Sequence, residues 1–119
     1  TNYEYQGEIA RAEVDLTSAI EAKQQAHASA VGEIARAQAD LSSAFDKVNR
    51  FDTQILTEAQ KAADAAEFAY SHGATGITDL LDARRVLRSI QLDAANAHAD
   101  YAKALAAWQA AIQTADIQN

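Results

Sequence analysis

Tyr70-Ser71-His72-Gly73-Ala74-Thr75-Gly76-Ile77-Thr78-Asp79-Leu80-Leu81-Asp82-Ala83 decides the fold of this chain. It lies between two long, alanine-rich segments that carry no proline, and Gly73 and Gly76 sit close together inside it. A glycine just past a helix end can adopt the left-handed conformation that closes off the last carbonyls, so Gly73 is expected at the C′ position. Thr75 is expected to N-cap a new helix, and Asp79 and Asp82 then place negative charge near its positive end. The stretch reads as a tight reversal between two antiparallel helices.

Upstream of it, apolar residues recur at helical spacing from Gly7 onward: Ile9, Leu16, Ile20, Ile34, Leu41, Phe45, Val48 and Ile55. The pattern continues as Ala59, Ala62, Ala66 and Ala69 into the tip. The expectation is an all-α chain, a long antiparallel helical hairpin of coiled-coil type. One single region should contain a long helix over about 7–71, a tip at 72–76 and a return helix over about 77–115. Residues 1–6, with Tyr3 and Tyr5, read as an extended lead-in. An unbroken first arm would be about 95 Å long at 1.5 Å per residue, and one folded back on itself about half that.

The return arm carries one stripe at Ile77, Leu80, Leu87, Ala94, Tyr101, Leu105, Trp108 and Ile112, and a second at Leu81, Leu92, Ala95, Ala99, Ala102 and Ala106. Two apolar stripes imply neighbours on two sides. Reversal at Gly73–Gly76 puts Trp108 opposite Leu41, Leu105 opposite Ala44 or Phe45, Tyr101 opposite Val48, and Lys103 near Asp46. The return arm then ends opposite about residue 34, and the start of the first arm overhangs with an apolar face that no part of the hairpin covers.

The first arm repeats itself. Gly7-Glu8-Ile9-Ala10-Arg11-Ala12-Glu13-Val14-Asp15-Leu16-Thr17-Ser18-Ala19 recurs as Gly32-Glu33-Ile34-Ala35-Arg36-Ala37-Gln38-Ala39-Asp40-Leu41-Ser42-Ser43-Ala44. The offset of about 25 residues is close to seven helical turns, so both copies present the same face. Two weak points interrupt the arm: Gly32, at a cost of about 1 kcal/mol against alanine, and Asn49-Arg50-Phe51-Asp52. A break near Gly32 would give a compact three-helix bundle instead.

With 119 residues the chain is at most one domain. Of its residues 49% are apolar, but most of these are alanine, which favours helix and buries little area. Such a composition suits helix-on-helix packing in a tube or sheet of helices better than a globule. A net charge of −7 argues against nucleic-acid binding, which needs a basic footprint. The chain has no cysteine, so thiol chemistry and disulfides are absent, which is compatible with an oxidising compartment. No run approaches the roughly 20 apolar residues of a membrane-spanning helix. With no initiator methionine and no signal peptide, the chain reads as a fragment of a larger protein.

The tip pattern Tyr-Ser-x-Gly-x-x-x-Ile-x-Asp-Leu-Leu-Asp-Ala resembles the periplasmic tip of the outer membrane factor family, the TolC-like exit ducts of efflux pumps and type I secretion systems. Tyr5-Gln6-Gly7-Glu8-Ile9-Ala10-Arg11-Ala12 is similar to that family's segment where the long helix starts, so the resemblance reaches nearly the whole chain. It implies a helical hairpin that is part of a TolC-like α-barrel, in the periplasmic portion of an outer membrane protein of a Gram-negative cell envelope. It further implies a homotrimer in the parent protein, with a periplasmic adaptor (a membrane fusion protein) and an inner-membrane transporter as partners. The implied function is passive export of small molecules, metal ions or proteins.

By the same resemblance Asp79 and Asp82 match acidic positions that ring the narrow entrance, where they favour cations and help hold the tip closed; Tyr70 joins them as a gating residue. Rings of carboxylates in a constriction repel anions on general grounds. Gly73, Thr75, Leu80 and Leu81 match the region where the adaptor docks. The family's best-known pattern has a basic residue where this chain has Thr75, so a closing salt bridge at that point is not implied.

The remaining candidates read differently. His27, His72 and His98 lack metal-ligand spacing, and His72 alone is near the tip aspartates as a pH-sensitive group. Arg84, Arg85 and Arg88 are expected on a solvated face or paired with Asp64 and Glu67. Tyr101 and Trp108 are expected as core anchors. No nucleophile triad, phosphate loop or cofactor motif is present, so an enzyme is not expected. The alternative from another class is a non-catalytic coiled-coil adaptor or scaffolding module.

Overall fold

The computed structural model describes residues 2–117, and all statements of absence below concern these residues. Helix α1 (Asn2–Arg50) runs through a five-residue π turn (Phe51–Ile55) into helix α2 (Leu56–Ser71); after a short reversal, helix α3 (Ile77–Ile117) returns alongside them. No strand is present among the described residues. Alpha-helix, π turn and alpha-helix form one continuous arm of 70 residues, about 105 Å at 1.5 Å per residue. The molecule measures 104 × 21 × 14 Å, so the arm is straight and sets the whole length. This is an all-α, elongated antiparallel hairpin.

Both suspected weak points are bridged. Gly32 lies inside α1 with ordinary helical backbone and open space around it. The compact three-helix alternative therefore falls. One missing side chain costs the helix about 1 kcal/mol, which the long run of alanine, glutamate and arginine around it exceeds. The expected lead-in is also helical from Asn2 onward; Thr1 lies outside the described residues. Residues 2–6 contain no glycine or proline to stop the helix.

The π turn is where the Asn49–Asp52 irregularity resolves. The Leu56 backbone N–H donates to the Phe51 carbonyl, one residue further back than in an α-helix. Its consequence shows in the packing. Upstream, the face against α3 repeats in coiled-coil steps of four and three through Ala30, Ile34, Ala37, Leu41, Ala44 and Val48 to Phe51. Downstream it resumes at Leu56, Ala59, Ala63 and Ala66. Phe51 to Leu56 is one residue longer than the coiled-coil step, and the π turn absorbs that residue. Without it, Glu58, Ala62 and Ala65 would face α3.

The seam is alanine-dense. Ala59, Ala63, Ala94 and Ala97 are buried with Leu80 and Val48, and Ala97 is 1% exposed. Small side chains let the helices approach closely, while the large residues Leu41, Leu87, Tyr101, Leu105 and Trp108 are half-buried along the flanks. The core is a line one residue wide, as expected for two helices without further neighbours.

The register follows the predicted pairing within one turn. Trp108 lines a groove with Leu41, Gln38 and Phe45. Tyr101 packs on Phe45, ring centroids 6.1 Å apart and tilted by 53°, instead of reaching Val48, which is buried in the seam. Lys103 lines a groove with Asp40, Glu33 and Arg36 rather than pairing with Asp46. At the far end Ala115 lies beside Ala30, Val31 and Ile34. Upstream of that level α1 projects alone.

Candidate functional site: the tip of the hairpin

The tip is built by a Schellman closure. The Ala74 N–H donates to the Ala69 carbonyl at 2.8 Å and the Gly73 N–H to the Tyr70 carbonyl at 3.0 Å, with Gly73 at φ +75. That is the six-to-one and five-to-two pattern with Gly73 at C′. The Phe68 carbonyl is satisfied three times over: by the His72 N–H at 3.1 Å, the Ser71 hydroxyl at 2.9 Å and the His72 Nδ1 at 2.8 Å. A carbonyl oxygen only accepts, so the Nδ1 contact requires the proton on that nitrogen. The His72 ring also stacks on Phe68 with centroids 4.0 Å apart. His72 is thus a helix-closing group, tied into the C-terminus of α2.

Thr75 does not cap α3. The helix begins at Ile77, which puts Gly76 at the N-cap and Thr75 one residue outside it. No side-chain hydrogen bond from Thr75 is formed among the described residues. Closing α2 occupies the chain through Ala74, and turning back takes both residues that follow. Gly76 is a tolerable N-cap, losing only a few tenths of a kcal/mol against Ser or Asp.

Asp79 sits in the first turn of α3, where the helix dipole favours a carboxylate. Asp82 follows one turn later on the same side and is held by Arg85 at 3.6 Å. Asp79 has no such cation, so its charge is the less compensated of the two. Arg84 crosses to Glu67 on α2 at 3.5 Å, as the sequence suggested, and Arg88 shares a groove with Asp64 and Glu67. Tyr70, 43% exposed, points out of the last turn of α2 and forms no hydrogen bond with Asp82 within the chain.

The two leucines divide. Leu80 is 4% exposed and packs inside the hairpin, whereas Leu81 is 43% exposed. Phe68, Ile77 and Val86 are exposed with it and give the tip an apolar outer surface that the motif alone did not flag. Away from the tip, His98 Nε2 meets Asp52 Oδ1 at 3.0 Å, across the two arms at the π turn. The predicted register set His98 opposite Phe51, next to Asp52, so this pair was within reach of the sequence. No group of three potential metal ligands occurs among the described residues, and no helix is long and apolar enough to cross a membrane.

The fold and tip together define a class: a long, rigid α-helical hairpin closed by a glycine turn with an acidic first turn on its return helix. Compared with known proteins, the chain is similar to the outer membrane protein TolC of Escherichia coli (strain K12), 29% identical over an alignment of 102 residues that covers 82% of this chain. The alignment covers 20% of TolC, so this chain spans about a fifth of the length of that relative. The chain is thus similar in sequence to a segment of that protein, and its own fold is an elongated all-α hairpin. No family model and no solved structure matches the chain.

Proposed function

We propose that this chain is wall and periplasmic tip of a trimeric outer membrane efflux or secretion channel. In the parent protein the hairpin lines a tunnel through which small molecules, metal ions or proteins pass passively. A periplasmic adaptor and an inner-membrane transporter supply the energy. The similarity to TolC across most of the chain carries this reading, and the unbroken 104 Å length supports it. A straight helical arm of that length with a one-residue-wide core is suited to side-by-side packing with further helices.

Within the reading, Asp79 and Asp82 act as selectivity groups and Tyr70 as a gating residue. Gly73, Thr75 and Leu81 present the docking surface, with Leu80 supporting it from inside. Because Arg85 partly neutralises Asp82, Asp79 is the stronger cation-selective charge. Residues 1–119 are grafted into the matching segment of E. coli TolC, and ion currents are recorded in planar bilayers. The expected result is a cation-selective pore whose selectivity falls more in Asp79→Asn than in Asp82→Asn. A trimer that conducts with selectivity unchanged in the double variant would sink the gating roles. A chimera that assembles and does not conduct would favour the adaptor or scaffolding alternative.

A further inference from the structure

The side chain of His72 does more at the tip than the end of a helix requires. Its ring stacks on Phe68, centroids 4.0 Å apart and planes 28° from parallel. Its Nδ1 lies 2.8 Å from the Phe68 carbonyl oxygen and 3.1 Å from Ser71 Oγ. The Ser71 hydroxyl donates to the same carbonyl at 2.9 Å. One placement of protons satisfies all three contacts: the Ser71 proton on the carbonyl, and the Nδ1 proton shared between that carbonyl and Ser71 Oγ. An Nδ1 lone pair would instead face the carbonyl oxygen at contact distance and repel it.

No hydrogen bond or ion pair engages Nε2 among the described residues. The ring therefore takes its second proton there without breaking any contact of the tip. The cation formed sits at the carbonyl end of α2, where the helix dipole favours positive charge. The neutral ring suits the site less well. A free neutral imidazole carries its proton mainly on Nε2, whereas the Phe68 carbonyl requires it on Nδ1.

The other charges of the tip leave this preference in place. On α2, Glu67 is paired with Arg84 and Asp64 accepts from Gln60. On α3, Asp82 is paired with Arg85, Arg88 shares a groove with Asp64 and Glu67, and Asp79 carries an acidic charge in the first turn. Tyr70 completes the titratable groups beside the turn.

We propose that His72 is a proton-operated latch on the tip: protonation tightens the closure at Gly73 and Ala74, and deprotonation loosens it. A closure that prefers the cation gains stability as the pH falls, and that gain is lost as the pH rises. His72 is a positioning residue, acting through the Phe68 carbonyl on the turn that joins the two arms. The inference rests on the geometry of the closure and does not depend on the channel reading.

Nuclear magnetic resonance on the isotope-labelled full chain tests it. At about pH 8 the neutral His72 ring should carry its proton on Nδ1. His27, exposed and without a hydrogen bond among the described residues, serves as the reference and should carry it mainly on Nε2. Amide hydrogen exchange, corrected for its intrinsic pH dependence, reads the closure itself. Protection at Gly73 and Ala74 should rise about two- to fivefold from pH 8 to pH 5. His72→Gln keeps a neutral donor and loses the titration, so its protection should not follow pH. Circular dichroism verifies that the variant stays helical. A neutral His72 ring protonated on Nε2 overturns the proposal. So does protection that ignores pH in the parent chain, or that follows pH equally in His72→Gln.

Discussion

The two copies of the repeat, Gly7–Ala19 and Gly32–Ala44, are nearly the same sequence in the same helix, yet they live in different environments. In the second copy Ile34, Ala37, Leu41 and Ala44 press on α3; in the first, Ile9, Ala12, Leu16 and Ala19 face solvent. Local propensity is nearly the same, the copies differing only at Glu13/Gln38, Val14/Ala39 and Thr17/Ser42, and both stretches are regular α-helix. Burial differs because it is decided by where α3 ends. Secondary structure here is a property of the segment, while energetic weight is a property of its position opposite a partner.

The sharpest way to break that comparison is to truncate the same residue in each copy. Leu41→Ala removes a half-buried side chain beside Trp108 and should destabilise the hairpin by about 2 kcal/mol. Leu16→Ala, at low protein concentration, should stay within about 0.5 kcal/mol. Urea titrations followed by circular dichroism measure both. Equal losses would mean that the overhang is packed in the monomer, and the distinction between the copies would collapse.

Glycine substitutions probe the other half of the comparison, the shared propensity. Gly7 and Gly32 are equivalent positions, both in ordinary helical backbone with nothing near an added Cβ. Gly7→Ala and Gly32→Ala should each favour the helix by roughly 0.5–1 kcal/mol, with the effect of Gly7 confined to the overhang. Gly73→Ala has the opposite sign. At φ +75 a Cβ costs about 1–2 kcal/mol, and the Schellman closure loosens with it. Thermal melts that ranked all three glycines alike would refute the assignment of Gly73 to C′.

Much of this architecture was legible in the sequence, for identifiable reasons. Gly73 announced the C′ position because glycine alone takes that backbone freely at a helix end. The spacing of Leu41, Val48, Leu87 and Trp108 carried the hairpin and, to within a turn, its register. The failures share a cause, which is competition between neighbouring solutions of similar cost. Thr75 is the better capping residue, but the chain needs it to complete the reversal, and Gly76 takes the position. Residues 2–6 hold no stop signal, so the helix extends to Asn2. Alanine at 59, 62, 63, 65 and 66 fits either of two faces, and the pattern could not show which of them the π turn brings to α3. For the tip, the motif named the residues, while the inward turn of Leu80 and the pairing of Asp82 with Arg85 emerged from the three-dimensional arrangement.

The smallest expected effect lies at the junction between the two regimes of the long arm. Asp52 belongs to the π turn and reaches His98 on α3, the sole hydrogen bond between side chains of the two arms among the described residues. Both side chains are about half exposed, 52% for His98 and 44% for Asp52, so solvent screens the interaction and its contribution should stay below about 1 kcal/mol. His98→Ala and Asp52→Asn should therefore each lower stability only slightly, and together by little more than either alone, because one contact is being removed twice. Deleting Thr53 makes a different test of the same turn. It removes the extra residue, so α1 can run into α2 as regular α-helix with Leu56, Ala59 and Ala63 still in phase at the seam. A deletion variant that melts far below the parent chain would show that the turn itself, and not the apolar phase, holds the seam. The exposed geometry of the pair argues that the π turn is held by the apolar phase on either side of it, Val48 above and Ala59 below, so the deletion, which keeps that phase, should leave stability nearly unchanged.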